Sequence, residues 1–493
     1  MSCFCASSIC RLLSRRTAVA VLAGLLAGSL AGPIGAQPGP DRVEVEAGAT
    51  GTSGDTVPFW LHTGTDGTID PGSSGGRLRV RAERTVSPQG QWGVGYGVEA
   101  IGRASARETA FLPTLYATGR YRFLQLRVGR KAETIGTVAG GLTSGSLGQS
   151  RNATPIPKIV LSTTGYTPVP FTRRWVEFKG RYADGLLSDD RFTEGAYLHQ
   201  KTFYLRLGTP SPVQVYGGLV HDAMWGGRSP STGRLPQSLN DYARTVVALS
   251  GADDAPRGEQ IYIQGDHFGV IDVGLRAEAG PLRVRAYRHF VYEDRDNLKF
   301  KAPQDGLFGL ALADTRADRV VDRLVYEHLY TKWQNGPVGP NPDNPRGGAG
   351  GRDDYYNHFI YRSGWTLYGR TAGSPLLTPF EAGSGEEGIA NNRVVGHHLG
   401  VAGHLGRVDY RALATYTRNY GTYDDREDAL QETGSYRFQP RLEQVSVLLG
   451  ARMSWPGAPA FEVEAALGVD VGALYDDAVG LQLGLVYHPL REQ

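Results

Sequence analysis

The chain has 493 residues, 40% hydrophobic and 21% charged, with 67 glycines and 25 tyrosines. Removing the leader arginines Arg11, Arg15 and Arg16 from the 52 basic residues leaves 49 against 50 acidic ones, a balance that excludes a nucleic-acid binder. A mean hydropathy of −0.30 excludes a helical membrane protein but not a β-barrel, whose wet lumen and polar loops dilute the average.

Residues 1–36 read as a secretory signal peptide. Three arginines precede an apolar run of about fourteen residues, too short to span a bilayer, and small residues follow. Cleavage after Ala31 and after Ala36 both fit. Cys3, Cys5 and Cys10 all lie in this leader, so the mature chain is expected to hold no disulfide and no thiolate site. Residues 37–493 carry one texture with no dividing linker, which predicts a single domain.

That texture is alternation with a period of two. In "QWGVGYGVEAIG", Trp92, Val94, Tyr96, Val98 and Ala100 share one face, opposite glycines and Glu99. Next comes "GQSRNATPIPKIVLSTTGYTPVPF" (148–171), which fits no regular element. Its prolines cannot donate to a sheet ladder, so it is expected to fold into or across a barrel mouth, with Arg151 and Lys158 on lumen carboxylates beside Pro155 and Pro157. The sequon Asn152-Ala153-Thr154 is read as chance.

The stretch "LPQSLNDYARTVVALSG" (235–251), near 234–250, reads as a helix. Ser238 is its N-cap, Asp241 its capping-box acid, and Leu239, Tyr242, Val246 and Leu249 form a stripe. A second plug or cap is expected there. Alternation resumes with Val273, Leu275 and Ala277, then with Leu282, Val284 and Ala286. Two long polar loops follow, 334–354 and 371–392. Tyr410, Ala412 and Ala414 oppose Asp409 and Arg411, and a third loop spans 421–440. The chain closes on two more strands, around 461–471 and 481–487, with Tyr487 in place of a terminal aromatic.

Many of these alternations run longer than a soluble sandwich needs and suit a tilted membrane strand. The expected fold is all-β, a transmembrane antiparallel barrel. At ~10 residues per strand and connections of ~15, the chain makes about 18 strands, with a small helical or irregular plug.

Blocks from Gly148 to Gly400, among them "GQSRNATPIPKI", "YGGLVHDAMWGG", "LPQSLNDYARTVVALSG", "YRSGWTLYGRTAGSPLLTP" and "NNRVVGHHLG", resemble in their order the Wzi-type capsule assembly proteins. The resemblance implies an outer-membrane barrel whose periplasmic end is blocked by helices. It also implies a lectin-like role, binding exported acidic capsular or surface polysaccharide and retaining it at the cell surface. The implied setting is a Gram-negative-type outer membrane, with outer-membrane lipid as the other partner and a monomeric state. A porin or substrate channel is the alternative; a glycan- or lipid-modifying enzyme is a third.

Sugar recognition calls for aromatic faces and cationic side chains. The candidates are Trp225, Arg228, Trp333, Arg352, Tyr355, Tyr356, Trp365 and Arg370; as an alternative, their aromatics belong to the interfacial girdle. His199 and His221, with His267, read as structural histidines of the lumen or plug. His397 and His398 face opposite sides of a strand, and His404 is too far from either to share an ion. No HExxH, nucleophile elbow or recognisable carboxylate pair occurs, so no catalytic residue, metal or cofactor is expected.

Overall fold

The structure is a computed structural model that describes residues 41–87, 90–106, 108–293, 302–316, 319–336, 339–340, 348–349, 353–423 and 436–491. The leader, both cleavage points and Arg352 lie outside these residues.

Eighteen antiparallel strands form one closed sheet. They are β1 (Arg42–Thr52), β2 (Gly75–Arg84), β3 (Trp92–Ala104), β4 (Glu108–Tyr121), β5 (Leu124–Arg130), β6 (Pro157–Thr163), β7 (Val176–Leu186), β8 (Tyr197–Leu207) and β9 (Val213–Trp225). The circuit continues with β10 (Asp266–Ala279), β11 (Leu282–Tyr292), β12 (Gly306–Asp314), β13 (Arg323–Tyr330), β14 (Val394–Leu405), β15 (Val408–Asn419), β16 (Leu442–Trp455), β17 (Ala458–Gly472) and β18 (Ala478–Tyr487). Each strand pairs with the next, and β1 pairs with β18, so no edge is left to solvate in lipid. A two-residue piece, Thr167–Pro168, pairs only with β7.

The period-two reading holds, with its apolar face outward. Val94 of β3, Phe203, Leu205 and Leu207 of β8, and Leu481, Leu483 and Leu485 of β18 are exposed on the outer wall. Glu46, Glu99 and Glu177 are buried on the inner one. An exposed apolar belt on a closed barrel is what lipid contact requires. The strand glycines serve the inner wall. A Cβ on Gly218 would stand 2.2 Å from the Tyr204 ring, and one on Gly309 2.0 Å from the Tyr287 ring, so each glycine lets a tyrosine lie flat on the sheet.

One barrel end has tight turns, such as 280–281, 406–407 and 456–457, and both Arg42 and Tyr487 lie there. The other end carries the long connections, including 53–74, 131–156, 226–265 and 331–393. By the usual asymmetry of such barrels the long loops face outward from the cell.

Three long-end segments fold inward as a plug: α1 (Phe59–His62) with its flanks, the stretch around 135–156, and the stretch around 355–377. Irregular backbone inside a barrel needs acceptors for its N–H groups, and wall carboxylates supply them. Asp470 accepts from Phe59 N–H at 2.7 Å, Asp272 from Thr137 N–H at 2.7 Å, and Glu327 from Ser144 N–H at 2.5 Å. Plug segments also bind each other: Trp365 Nε1 donates to the Gly148 carbonyl at 2.8 Å and Asn152 Nδ2 to that of Thr371 at 3.0 Å.

Three expectations need correction. The segment 148–171 is plug only as far as Ile156; from Pro157 it is wall strand β6, paired with β5 and β7. Pro157 stands at the first residue of the strand, where a missing N–H costs least. Lys158 is therefore a wall residue, and its carboxylate Glu133 (2.8 Å) belongs to the plug, while Arg151 meets Asp66, also plug. The Lys158 pair exists with wall and plug exchanged, and the Arg151 pair lies within the plug.

Helix α2 (Leu239–Val246) has the expected Ser238–Asp241 capping box but does not enter the barrel. It lies on the outer wall. Tyr242 hydroxyl donates to Asp184 of β7 at 2.9 Å, and Lys201 of β8 donates to the Val246 carbonyl. Both partners share the outward face with Phe203, two residues from Lys201 and directly opposite Gly180. With α3 (Arg257–Ile261) it forms an external flap. His199, His221 and His267 consequently line the outer wall beneath this flap rather than the lumen, with His221 Nε2 2.8 Å from His267 Nδ1.

Finally, all three helices belong to long-end connections, so among the described residues no helix blocks the short-turn mouth. None is long and apolar enough to cross a membrane, which leaves barrel strands as the spanning elements.

Candidate functional site

The plug accounts for four of the eight sequence-derived candidates. Tyr355 is fully buried, its hydroxyl donating to Asp305 at 2.9 Å. Tyr356 is buried with its hydroxyl on the Leu147 carbonyl, and Trp365 holds the Gly148 carbonyl. Arg370 donates to the carbonyls of His62 (3.1 Å) and Ile69. These four tie plug segments together and offer no open face to a sugar. Trp225 is on the outer wall, 5.1 Å from Tyr197 and 5.3 Å from Tyr242 between ring centroids. It packs the flap. Arg228 is exposed at the start of that flap, and Trp333 is 41% exposed at the long-loop mouth.

Around Trp333 the structure gathers residues that sequence spacing did not connect. Tyr423 hydroxyl donates to the Trp333 carbonyl at 2.8 Å. The Arg393 guanidinium lies 3.6 Å from the Tyr423 ring centroid and 4.5 Å from that of Tyr436. Lys332 ammonium stands 4.3 Å over Tyr420 and 5.2 Å from Tyr436. Beside them Arg437 lies 4.5 Å over Phe380 and donates to Glu386 at 2.6 Å. Two connections, β13–β14 (331–393) and β15–β16 (420–441), thus meet in one aromatic and cationic patch. Cations held over ring faces keep those rings oriented while their own outer N–H groups stay directed.

The patch rests on a buried carboxylate. Asp305 accepts from the N–H groups of Trp333 (3.2 Å) and Gln334 (2.6 Å) and from Tyr355. Burial raises its carboxyl to about 6 in spite of those donors. Burial likewise holds the Arg393 guanidinium below its usual range.

The model of the family described as capsule assembly protein Wzi matches residues 71–383, more than half of the chain. The chain belongs to the Wzi capsule assembly family. Among solved structures it is similar to Wzi of Escherichia coli, an outer-membrane carbohydrate-binding β-barrel involved in group 1 capsule assembly. The TM-score is 0.57 at 12% identity, over 90% of this chain and 84% of that one. It is also similar to OccD3 of Pseudomonas aeruginosa, at a TM-score of 0.44 and 9% identity over 92% and 93% of the two chains. No curated protein matches the chain in sequence.

Family and fold place this Wzi-family barrel in the outer membrane of a Gram-negative bacterium. The family match includes Lys332 and Trp333 but ends before Arg393, Tyr423 and Tyr436. Arg393 lies in the block "NNRVVGHHLG", whereas Tyr423 and Tyr436 lie in the third polar loop, beyond both the family match and the resembling blocks.

Proposed function

We propose that this protein binds exported capsular or surface polysaccharide at the long-loop mouth and retains it on the cell, as a binder rather than an enzyme. The observation that carries the reading is the patch of Trp333, Tyr423 and Tyr436 with Lys332 and Arg437, held in place by the buried Arg393 and built from two loops over a plugged lumen. Aromatic rings pack on the C–H faces of sugars, and guanidinium groups take carboxylates as charge-assisted pairs, so an acidic glycan suits the surface. The carbohydrate binding of E. coli Wzi and the family's role in capsule assembly support the same reading. Arg228 and Arg352 remain contributors within it, and a monomer in outer-membrane lipid is its setting.

The test uses polysaccharide purified from the host and the barrel in nanodiscs. Trp333→Ala is expected to weaken binding about tenfold, the worth of one aromatic contact at a partly desolvated site. Unchanged affinity in a folded variant would remove the patch from the function.

A further inference from the structure

Helix α2 does not stand clear of the membrane. Lys201, which reaches the Val246 carbonyl, is six residues above Leu207 on tilted β8, about 15 Å from the turn end. Exposed Trp175, whose carbonyl accepts from Gly208 N–H at 3.0 Å, marks the lower interface on the same strands. The apolar belt above it is ~25 Å tall, so α2 lies along its upper edge.

At that level the helix is inside out. Polar groups fill its wall side: the Tyr242 hydroxyl is on Asp184, and Thr245 is fully buried, donating to the Asp241 carbonyl at 3.0 Å. The opposite side carries Leu239, Ala243 and Val247, spaced i, i+4, i+8 and all exposed, Leu239 to 87% and Val247 to 61%. A helix facing water shows the reverse pattern. The second flap helix is tied to this one, with Gly251 N–H donating to the Glu259 carbonyl at 2.8 Å and Gln264 N–H to that of Leu249 at 3.0 Å. It adds exposed Ile261 and Tyr262, with Arg257 and Gln260 beside them as polar groups able to reach headgroups. Below the flap, exposed Phe203 and Leu205 of β8, and Leu219 of β9 directly opposite Phe203, carry the apolar surface on down the wall. That continuity with the lipid-facing belt names the occupant.

We propose that the α2–α3 flap is an interfacial element seated in the outer leaflet, with its Leu239–Ala243–Val247 stripe and Ile261 packed among acyl chains at the headgroup boundary. An amphipathic helix lying in the interface plane buries its apolar face in this way. Lipid contact thus passes from the wall to the flap over the upper part of β7–β10. The wall's own polar groups there, His199, His221 and His267 among them, stay out of hydrocarbon.

The chain after the leader holds no cysteine, so single nitroxide labels on Leu239→Cys, Val247→Cys and Ile261→Cys test the placement in nanodiscs of dimyristoyl phosphatidylcholine. Leu205→Cys on the wall belt and Glu381→Cys in an exposed loop serve as references. All three flap labels are expected to relax more with dissolved oxygen than with a water-soluble nickel chelate, as the Leu205→Cys label does. Adding Val247→Glu is expected to shift the Leu239→Cys label toward nickel access, because a carboxylate does not stay among acyl chains. Flap labels with the nickel preference of Glu381→Cys would place the flap in water and overturn the proposal. A Leu239→Cys label unmoved by Val247→Glu would overturn it as well, since the stripe would then not seat the flap. Shielding from both agents, with dipolar coupling between Val247→Cys labels of separate chains in liposomes, would assign the stripe to a second copy and overturn it equally.

Discussion

Asp305 shows how one residue couples the plug to the outer patch. Its carboxyl is buried, yet it orders the Trp333–Gln334 backbone and the Tyr355 hydroxyl. In the folded chain it keeps its proton up to about pH 6, against an ordinary value of 3.8. Its contribution to stability is therefore fully present below about pH 3.8 and is lost as pH rises through 6. Asp305→Asn is expected to flatten the pH dependence of thermal unfolding between those values, read by circular dichroism in detergent. An identical pH profile in the variant would show that the group titrates as it does in water. Residue scale is also where the sequence was least legible. Tyr355, Tyr356 and Trp365 read as surface aromatics because they sit in Gly-rich, polar segments; nothing local records that those segments fold inward. The cluster was missed because its members come from two long connections, 331–393 and 420–441, whose contacts across ~30 to ~100 residues leave no local pattern.

Among the elements, the external flap is the one that amphipathicity could identify but not place. The Ser238–Asp241 capping box and the helical stripe were readable, and both exist. Whether the helix goes inside or outside depends on Asp184, His199 and Lys201, polar side chains that β7 and β8 turn toward lipid. Counting up β8 from Leu207, His199 stands about 20 Å above the turn end, near the top of a belt of ~25 Å. Left bare there, these groups would face hydrocarbon or the headgroup boundary without partners, so α2 covers them, and its own outer side shows Leu239 and Val247. Tyr242→Ala removes the central contact of the cover. Amide exchange across 239–247 is expected to speed up and the barrel to lose about 1–3 kcal/mol. Exchange rates equal to wild type would mean the flap is held by other contacts. The same logic explains segment 148–171: its irregularity was legible, but the point where it joins the wall is fixed by pairing with β5 and β7, which no local pattern encodes.

For the whole molecule, period two was enough to predict a barrel because each outward face must satisfy lipid over the full belt, and chain length at ~25 residues per strand and connection set the number near 18. The fate of the lumen was less legible. A helical block at the short-turn mouth was expected from the family, whereas here the long loops of the opposite mouth turn back and hang on Asp272, Glu327 and Asp470. A lumen filled in this way should carry little current. In planar bilayers the protein is expected to show no large stable conductance step, and porin-sized steps would restore the channel alternative.

The central claim is retention of polysaccharide at the surface. Deleting the gene in its host and measuring cell-attached against released polysaccharide tests it most directly. The account predicts a shift from attached to released material, restored by the wild-type gene and poorly by Trp333→Ala. An attached fraction unchanged by the deletion would contradict it.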